Sequence, residues 1–205
     1  KVTVTVTPND GSADGEPVES SVVTVLNTAP TPPSIAISPV APTDADALVC
    51  EIVADGLDVD EDALTYTITW TVDGSDPGET SDTLSSDFFD RDQVVRCFAR
   101  PNDGTDDGEE VQSNSIIIEN TPPSIDSVVI SPRPAVTSDG LTCSYSGFSD
   151  QDGDSDASSY AWTVNGSDAG SSSTLSGSFV GDDVVECTVT PFDGTDEGTA
   201  LSTSL

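Results

Sequence analysis

The apolar residues of this chain lie in short runs rich in Val, Ile and Thr, and each run is bounded by Gly, Pro, Asp or Ser. Segment 65–72, Thr-Tyr-Thr-Ile-Thr-Trp-Thr-Val, alternates with a period of two, as a half-buried strand does. No segment carries a sustained helical stripe. The pattern predicts strands at 34–38, 47–53, 64–72, 83–86, 93–100 and 111–119, and again at 125–131, 141–145, 159–164, 174–178 and 184–190. Six or seven short strands in about ninety residues are typical of a β-sandwich, so the predicted fold class is all-β.

The order Cys–Trp–Cys occurs twice along the chain, first as Cys50, Trp70 and Cys97 and then as Cys143, Trp162 and Cys187. The offsets are 143 − 50 = 93, 162 − 70 = 92 and 187 − 97 = 90, as small loop insertions between copies of one folded unit produce. A third, partial copy opens the chain, because the Pro-Asn-Asp-Gly run at 8–11 lies 101 − 8 = 93 residues before the one at 101–104. A period near ninety residues predicts a string of small domains. The predicted division is 1–27 as the last two strands of a preceding repeat, 28–120 as a complete domain, and 121–205 as a domain with an incomplete last strand.

The four cysteines fall in two pairs at matching positions and lack the Cys-x-x-Cys spacing of a zinc site. Even pairing predicts the disulfides Cys50–Cys97 and Cys143–Cys187, and disulfides imply an oxidising, extracellular setting. The alternative is two pairs of buried, reduced thiols. Val4 stands in the partial copy where the other copies have their second cysteine. The pair is therefore expected to support the fold and not to be an activity.

A cysteine, a tryptophan about twenty residues later and a second cysteine form the immunoglobulin-type order, with Cys50 on strand B, Trp70 on strand C and Cys97 on strand F. Further shared segments are Tyr160-x-Trp162-x-Val164-x-Gly166, Val94-Val95-x-Cys97, Pro101-x-Asp103-Gly104 and Asn120-Thr-Pro-Pro123. On these residues the chain resembles the immunoglobulin-like and PKD-like repeats of long bacterial surface proteins. It lacks the Trp-Asp-Phe-Gly-Asp-Gly stretch of PKD modules, and Val95 and Val185 stand where antibody-type domains have a corner tyrosine. The resemblance implies tandem immunoglobulin-like β-sandwich domains.

In each copy, the loop between the first cysteine and the tryptophan carries aspartate on alternate residues. They contain Asp58, Asp60 and Asp62 in the first copy and Asp150, Asp152 and Asp154 in the second. Three such carboxylates can converge on one hard cation, and calcium takes about six to eight oxygen ligands. The loops are not EF-hands, because position 12 is Thr69 or Ala161 and not Glu. The sequence therefore predicts calcium sites of another kind.

The fold is expected to bring further oxygen ligands to these loops. In an immunoglobulin-type sandwich the B–C and F–G loops emerge at one end, beside the start of strand A. The F–G loops contain Asp103 and Asp106 in the first copy and Asp193 and Asp196 in the second, and the linkers before strand A contain Asn27 and Asn120. This arrangement resembles the calcium-bridged joints of cadherin-type arrays, to which the preceding domain could add Asp44 and Asp46 or Asp90 and Asp92. The alternatives are solvated turns in which Asp and Gly serve turn geometry alone, or loosely bound sodium or magnesium.

The charge balance limits the choice of partners. The chain has 38 acidic and 5 basic residues, a net charge of −33. Such a field repels nucleic acid and anionic membranes, so neither is an expected partner. An acidic surface adapted to a salty medium is an alternative explanation, but it predicts evenly spread acid, whereas much of the acid here collects in particular loops. The arginines are too few for an anion-binding surface and are expected to pair with local carboxylates; they are Arg91, Arg96, Arg100 and Arg133.

Together these features predict an extracellular or cell-surface repeat array, such as a stalk, fibre or adhesin shaft, made rigid by disulfides and by calcium at its joints. Its partners would be neighbouring domains of the chain or identical subunits, with surface glycans or proteins as further candidates. No enzymatic activity is expected, because the chain has no histidine and no recognisable nucleophile with a base. The alternatives are a carbohydrate- or protein-binding module and a spacer region of a large secreted enzyme.

Overall fold

The computed structural model describes all residues from 1 to 205 and confirms the all-β prediction. Its only helical segment is one 3-10 turn at Ser86–Phe88. No segment therefore has the helical length and apolarity that a membrane crossing requires. The strands are β1 Thr5–Val6, β2 Val18–Glu19, β3 Ser34–Ser38, β4 Leu48–Ala54, β5 Thr65–Val72, β6 Thr83–Leu84, β7 Val94–Asn102, β8 Val111–Gln112, β9 Ile116–Ile117, β10 Ser127–Ser131, β11 Gly140–Ser146, β12 Ser159–Val164, β13 Ser167–Gly170, β14 Thr174–Ser176, β15 Val185–Thr190 and β16 Leu201–Ser204.

The first sandwich is built from β3 to β9. One sheet has the order β3-β4-β6, and the other has β5-β7-β8, with β9 also paired to β7. All of the pairings are antiparallel, and the longest ladder joins β5 to β7 from Thr65 opposite Asn102 to Val72 opposite Val95. Because side chains alternate between the two faces of a strand, one face of each sheet is left to pack against the other sheet.

The second sandwich, β10 to β16, repeats this plan. Its sheets have the orders β10-β11-β14 and β13-β12-β15-β16. The β12–β15 ladder places Trp162 opposite Cys187, as the β5–β7 ladder places Trp70 opposite Cys97. The two sandwiches therefore share topology and register at the residues that repeat in the sequence.

Each sandwich has its own core around one disulfide and one tryptophan. The bonds Cys50–Cys97 and Cys143–Cys187 form as predicted and join the two sheets of each sandwich. The tryptophans are 1% and 0% exposed, and each donates its indole N–H to a backbone carbonyl, at 2.9 Å for Trp70 and 2.7 Å for Trp162. Burying an indole while its N–H is bonded stabilises each core by about 4–6 kcal/mol.

The strand predictions fail at two places for identifiable reasons. The segment predicted as one strand, 111–119, is divided into β8 and β9, because Ser113 turns inward and its hydroxyl accepts the N–H of Cys97 at 3.1 Å. Strand β13 was not predicted at all, since its sequence, Ser-Asp-Ala-Gly, lacks apolar alternation. It pairs because Asn165 and Gly166, both with positive φ, form the tight turn after β12.

Residues 1–27 form a separate two-stranded hairpin. The backbone pairing of Val2 with Val23 repeats, 93 residues earlier, the pairing of Val95 with Ile116 in the first sandwich. In contrast to those buried residues, Val2 is 56% and Val23 is 62% exposed. The hairpin thus shows the backbone pattern of the repeat without a core of its own.

Candidate functional site at the inter-domain joints

Each sandwich presents one acidic end to the linker that precedes it. We call these ends the first pole and the second pole. The first pole comprises Asn27, Asp58, Asp60, Asp62, Asp103 and Asp106, and the second pole comprises Asn120, Asp150, Asp152, Asp154, Asp193 and Asp196. These are the residues predicted as metal ligands.

The F–G loops are held by one buried aspartate in each sandwich. The Asp103 carboxylate accepts the N–H groups of Thr105 and Asp106 through Oδ1, at 2.7 and 2.8 Å. Asp193 does the same in the second sandwich, at 2.6 and 2.7 Å. The glycine after each aspartate has a positive φ, which an Asp-Gly turn uses at no steric cost. For these two aspartates a role in the turn is therefore established by geometry.

The linker asparagine bridges two aspartates at each pole. Asn27 Nδ2 donates to Oδ2 of Asp103 and to Oδ2 of Asp106, both at 2.9 Å. Asn120 Nδ2 donates to Asp193 at 2.8 Å and to Asp196 at 3.0 Å. The linker is thus tied to the F–G loop by charge-assisted hydrogen bonds, which are stronger than neutral ones.

These bonds lower the pKa of each of the two buried aspartates. The N–H of Asp106 and then the amide of Asn27 hold the pKa of Asp103 below its ordinary value. Burial pushes the pKa of Asp193 upward, but the Asn120 amide and the loop N–H groups outweigh burial and leave that pKa lowered. Both carboxylates are therefore ionised over the whole physiological range.

The B–C loop binds the next residue of the linker. Asp60 Oδ2 accepts the N–H of Thr28 at 2.8 Å, and Asp152 Oδ2 accepts the N–H of Thr121 at 2.8 Å. The first aspartate of each loop shapes the loop from within. Asp58 Oδ1 accepts the N–H of Asp60 at 2.8 Å and that of Asp62 at 3.2 Å, and Asp150 Oδ1 accepts the N–H of Asp154 at 2.9 Å. Asp62 contributes its backbone to these contacts, and its side chain is exposed.

Glycines let the linker lie against the poles. A Cβ built on Gly108 would lie 2.4 Å from the carbonyl oxygen of Pro30, and one built on Gly198 would lie 1.7 Å from that of Pro123. Both distances are far below van der Waals contact, and the atoms involved are backbone atoms that cannot swing away. The end of each F–G loop therefore needs glycine so that the proline-containing linker can pack on it.

Three carboxylate oxygens at the poles are buried without a hydrogen-bond partner: Asp58 Oδ2, Asp150 Oδ2 and Asp152 Oδ1. The side chain of Asp152 is only 2% exposed. Burial raises the pKa of Asp152, and the negative charge of Asp44 raises it further, against the lowering effects of the Thr121 N–H and of Arg91. No group of three or more His, Cys, Asp or Glu side chains is placed so that those side chains alone could hold a metal ion. The unpartnered oxygens are nevertheless hard, anionic ligands of the kind that calcium prefers.

The first sandwich contacts the second pole through Arg91 and Asp44. Arg91 Nη1 donates to Asn120 Oδ1 and to Asp154 Oδ2, and it lies 3.7 Å from Asp152 Oδ2. Asp44 Oδ1 accepts the hydroxyl of Thr121, and the Asp44 carbonyl accepts the Gln151 amide at 2.9 Å. The prediction that far-end loops of the preceding domain reach the joint therefore holds for Asp44. The loop of Asp90 and Asp92 also reaches the joint, through Arg91 between them.

Two sequence expectations about charged residues near this joint are corrected. Asp46, which was paired with Asp44 in the prediction, turns back and accepts the N–H of Thr43 at 2.9 Å. Arg91 was expected to pair with local carboxylates, and it does lie 3.9 Å from Asp92, but its closest carboxylate partner is Asp154, 63 residues away across the joint. Arg100 does pair nearby, at 3.4 Å from Glu110. Local spacing cannot reveal a partner that only the docking of two domains supplies, so the sequence marked the loop of Asp90 and Asp92 for the joint but not the role of Arg91.

No protein-family model matches the chain, and a search of curated proteins finds no match. Among solved structures, the chain is similar to a segment of two fibronectin type-III domains from chicken tenascin, with 15% identity, a TM-score of 0.40, and coverage of 87% of this chain and 99% of that one. It is also similar to a Ca²⁺-stabilised adhesin that helps an Antarctic bacterium reach out and bind ice, with 16% identity, a TM-score of 0.41, and coverage of 98% of this chain and 54% of that one. Neither is described as PKD-like or cadherin-like, so that narrower resemblance stays a prediction.

Proposed function

We propose that the chain is part of an extracellular or cell-surface repeat array, a stalk or adhesin shaft, whose acidic poles bind calcium at the joints between domains. Two inter-sheet disulfides support an oxidising location. The two joints share one set of contacts, from the linker asparagine to the F–G loop and from the next linker N–H to the B–C loop. A repeated docking geometry is what a mechanical spacer needs, because it sets a defined angle between successive domains.

The observation that carries the calcium proposal is the state of Asp152. Its side chain is 2% exposed and its Oδ1 has no partner, although an unpaired buried carboxylate oxygen costs several kcal/mol in general. A divalent cation would offset this cost and would also reduce the repulsion within a chain of net charge −33.

The ligands at each pole would be few side chains supplemented by other oxygens. At the first pole Asp58 Oδ2 and Asn27 Oδ1 are without hydrogen-bond partners, and at the second pole Asp150 Oδ2 and Asp152 Oδ1 are the unpartnered oxygens. Calcium accepts carbonyls and water together with carboxylates, so two or three side-chain oxygens can anchor it. Bound there, the ion would join a linker residue to a loop of the following sandwich and stiffen the joint.

Calcium titration by calorimetry tests this proposal on the wild-type chain and on the double variant Asp58→Asn/Asp150→Asn. Asparagine keeps the Oδ1 that accepts the loop N–H groups and replaces only the unpartnered oxygen, so the loops stay formed. The wild type should bind calcium, and the double variant should bind it at least about tenfold more weakly. Asp168→Asn, in the β13 hairpin away from both poles, is the matched control and should bind as the wild type does. A wild type that releases no heat and binds no calcium in equilibrium dialysis would refute the proposal.

A further inference from the structure

At the second pole the linker asparagine is bound on both sides of its amide. Asn120 Nδ2 donates to Asp193 and Asp196, and Asn120 Oδ1 accepts a hydrogen bond from Arg91 of the preceding sandwich. The asparagine oxygen that faces the acidic loops is thus already bound to a guanidinium.

We infer that Arg91 is a cation supplied by the protein to the second joint, where it holds the two sandwiches together without metal and competes with calcium for the second pole. This inference rests on the proposed calcium function. The second joint is clamped before any ion binds.

The contacts of Arg91 place it inside the acidic pole. Its guanidinium bonds Asn120 and Asp154 and lies 3.7 Å from Asp152, and its side chain is only 29% exposed. A guanidinium presents several N–H donors in a fixed plane, so it can bind an amide oxygen and a carboxylate at once. A calcium ion placed on Asn120 Oδ1 would lie within a few ångströms of this charge. The two cations would repel each other, and calcium would have to displace Arg91.

The clamp belongs to this joint and is not a property of the repeat. Applying the 187 − 97 = 90 offset of the second cysteines, Arg91 corresponds to Gly181 in the second sandwich. Applying the 143 − 50 = 93 offset of the first cysteines, Asp44 corresponds to Thr137. The far end of the second sandwich therefore lacks both residues with which the first sandwich grips its neighbour.

The competition is tested in an Asp58→Asn background, which disables the first pole so that calorimetry reports the second pole alone. Adding Arg91→Gln should tighten calcium binding at the second pole by about tenfold or more, because it removes a like charge a few ångströms from the ion. Adding Arg100→Gln is the matched control, since Arg100 lies on β7 and pairs with Glu110 away from the joint, and it should leave the affinity unchanged. Arg91→Lys keeps the charge, and its affinity should stay within about threefold of the parent.

The outcomes separate this inference from the proposed function. If the wild-type chain binds no calcium at all, the proposed function fails. If the wild type binds calcium but Arg91→Gln leaves the affinity of the second pole where it was, the competition is refuted while the calcium function stands. The clamp itself is tested in chelator by small-angle scattering: Arg91→Gln should broaden the distribution of distances between the sandwiches, and Arg100→Gln should not. Equal distributions for wild type and Arg91→Gln would overturn the clamp.

Discussion

Two single variants, Asn27→Ala and Asn120→Ala, measure how strongly the linker stabilises each sandwich. Asn27→Ala removes two bonds, to Asp103 and to Asp106. Asn120→Ala removes the two equivalent bonds and, in addition, the acceptor of Arg91. The pair is a matched comparison, because the two asparagines differ in that third contact.

The structure sets the expected magnitudes. A hydrogen bond to a charged group contributes about 1.5–3 kcal/mol, and most of that is lost only where water cannot replace the donor. Asp103 and Asp193 are each 7% exposed, so their lost bonds should count nearly in full, while the exposed Asp106 and Asp196 regain water. Asn27→Ala should therefore lower the free energy of unfolding of the first sandwich by about 2 kcal/mol. Asn120→Ala should lower that of the second by about 3 kcal/mol, since Arg91 also loses a partner.

Urea unfolding followed by NMR measures both values, because amide signals report each sandwich separately. Each chain is compared with the wild type in the same buffer without calcium. A loss below about 0.5 kcal/mol for Asn120→Ala would refute the view that this residue organises the joint, because that is the scale of an ordinary surface substitution. Equal losses for the two variants would show that Arg91 adds nothing through Asn120.

Three further predictions concern the scaffold. Cys50→Ala/Cys97→Ala should lower the free energy of unfolding of the first sandwich by about 4 kcal/mol in denaturant titrations, since the bond closes a loop with a sequence separation of 47 residues. Gly198→Ala should cost about 1–3 kcal/mol in the same assay, because its Cβ would meet a linker carbonyl, whereas Gly181→Ala, with open space around its Cβ, should cost less than about 1 kcal/mol. Asp183 accepts the N–H of Val180 and the side-chain amide of Asn165, and both bonds lower its pKa. The stability that Asp183 adds is therefore present above about pH 4 and is lost as the pH falls through the lowered pKa. Melting temperatures measured from pH 7 to pH 2 should fall less steeply for Asp183→Asn than for the wild type.

The β-sandwich could be predicted from sequence because its signals are local. Alternation in segment 65–72 marks a half-buried strand, and the result is β5 at Thr65–Val72. The Cys–Trp–Cys order, which occurs in both copies, indicated the same sandwich fold twice. Strand β13 could not be predicted, because it depends on a turn and on an existing neighbour strand and not on its own apolar pattern.

The acidic poles were predictable in part, because their residues lie in loops whose positions follow from the fold class. Asp58 and Asp103 lie in loops that any immunoglobulin-type topology brings to one end, and the linker asparagine precedes strand A at that end. The contact of Arg91 with the second pole depends instead on how two folded units dock. That information is spread over two surfaces and leaves no periodicity or spacing along the chain.

The most direct test of the calcium-bound joint is a crystal structure grown with calcium, examined in an anomalous difference map. Calcium bound at the joints should give a peak at the first pole within about 2.3–2.6 Å of Asp58 Oδ2, the coordination distance of calcium. A map of good quality with no peak at either pole, in crystals soaked at millimolar calcium, would contradict calcium binding at the joints.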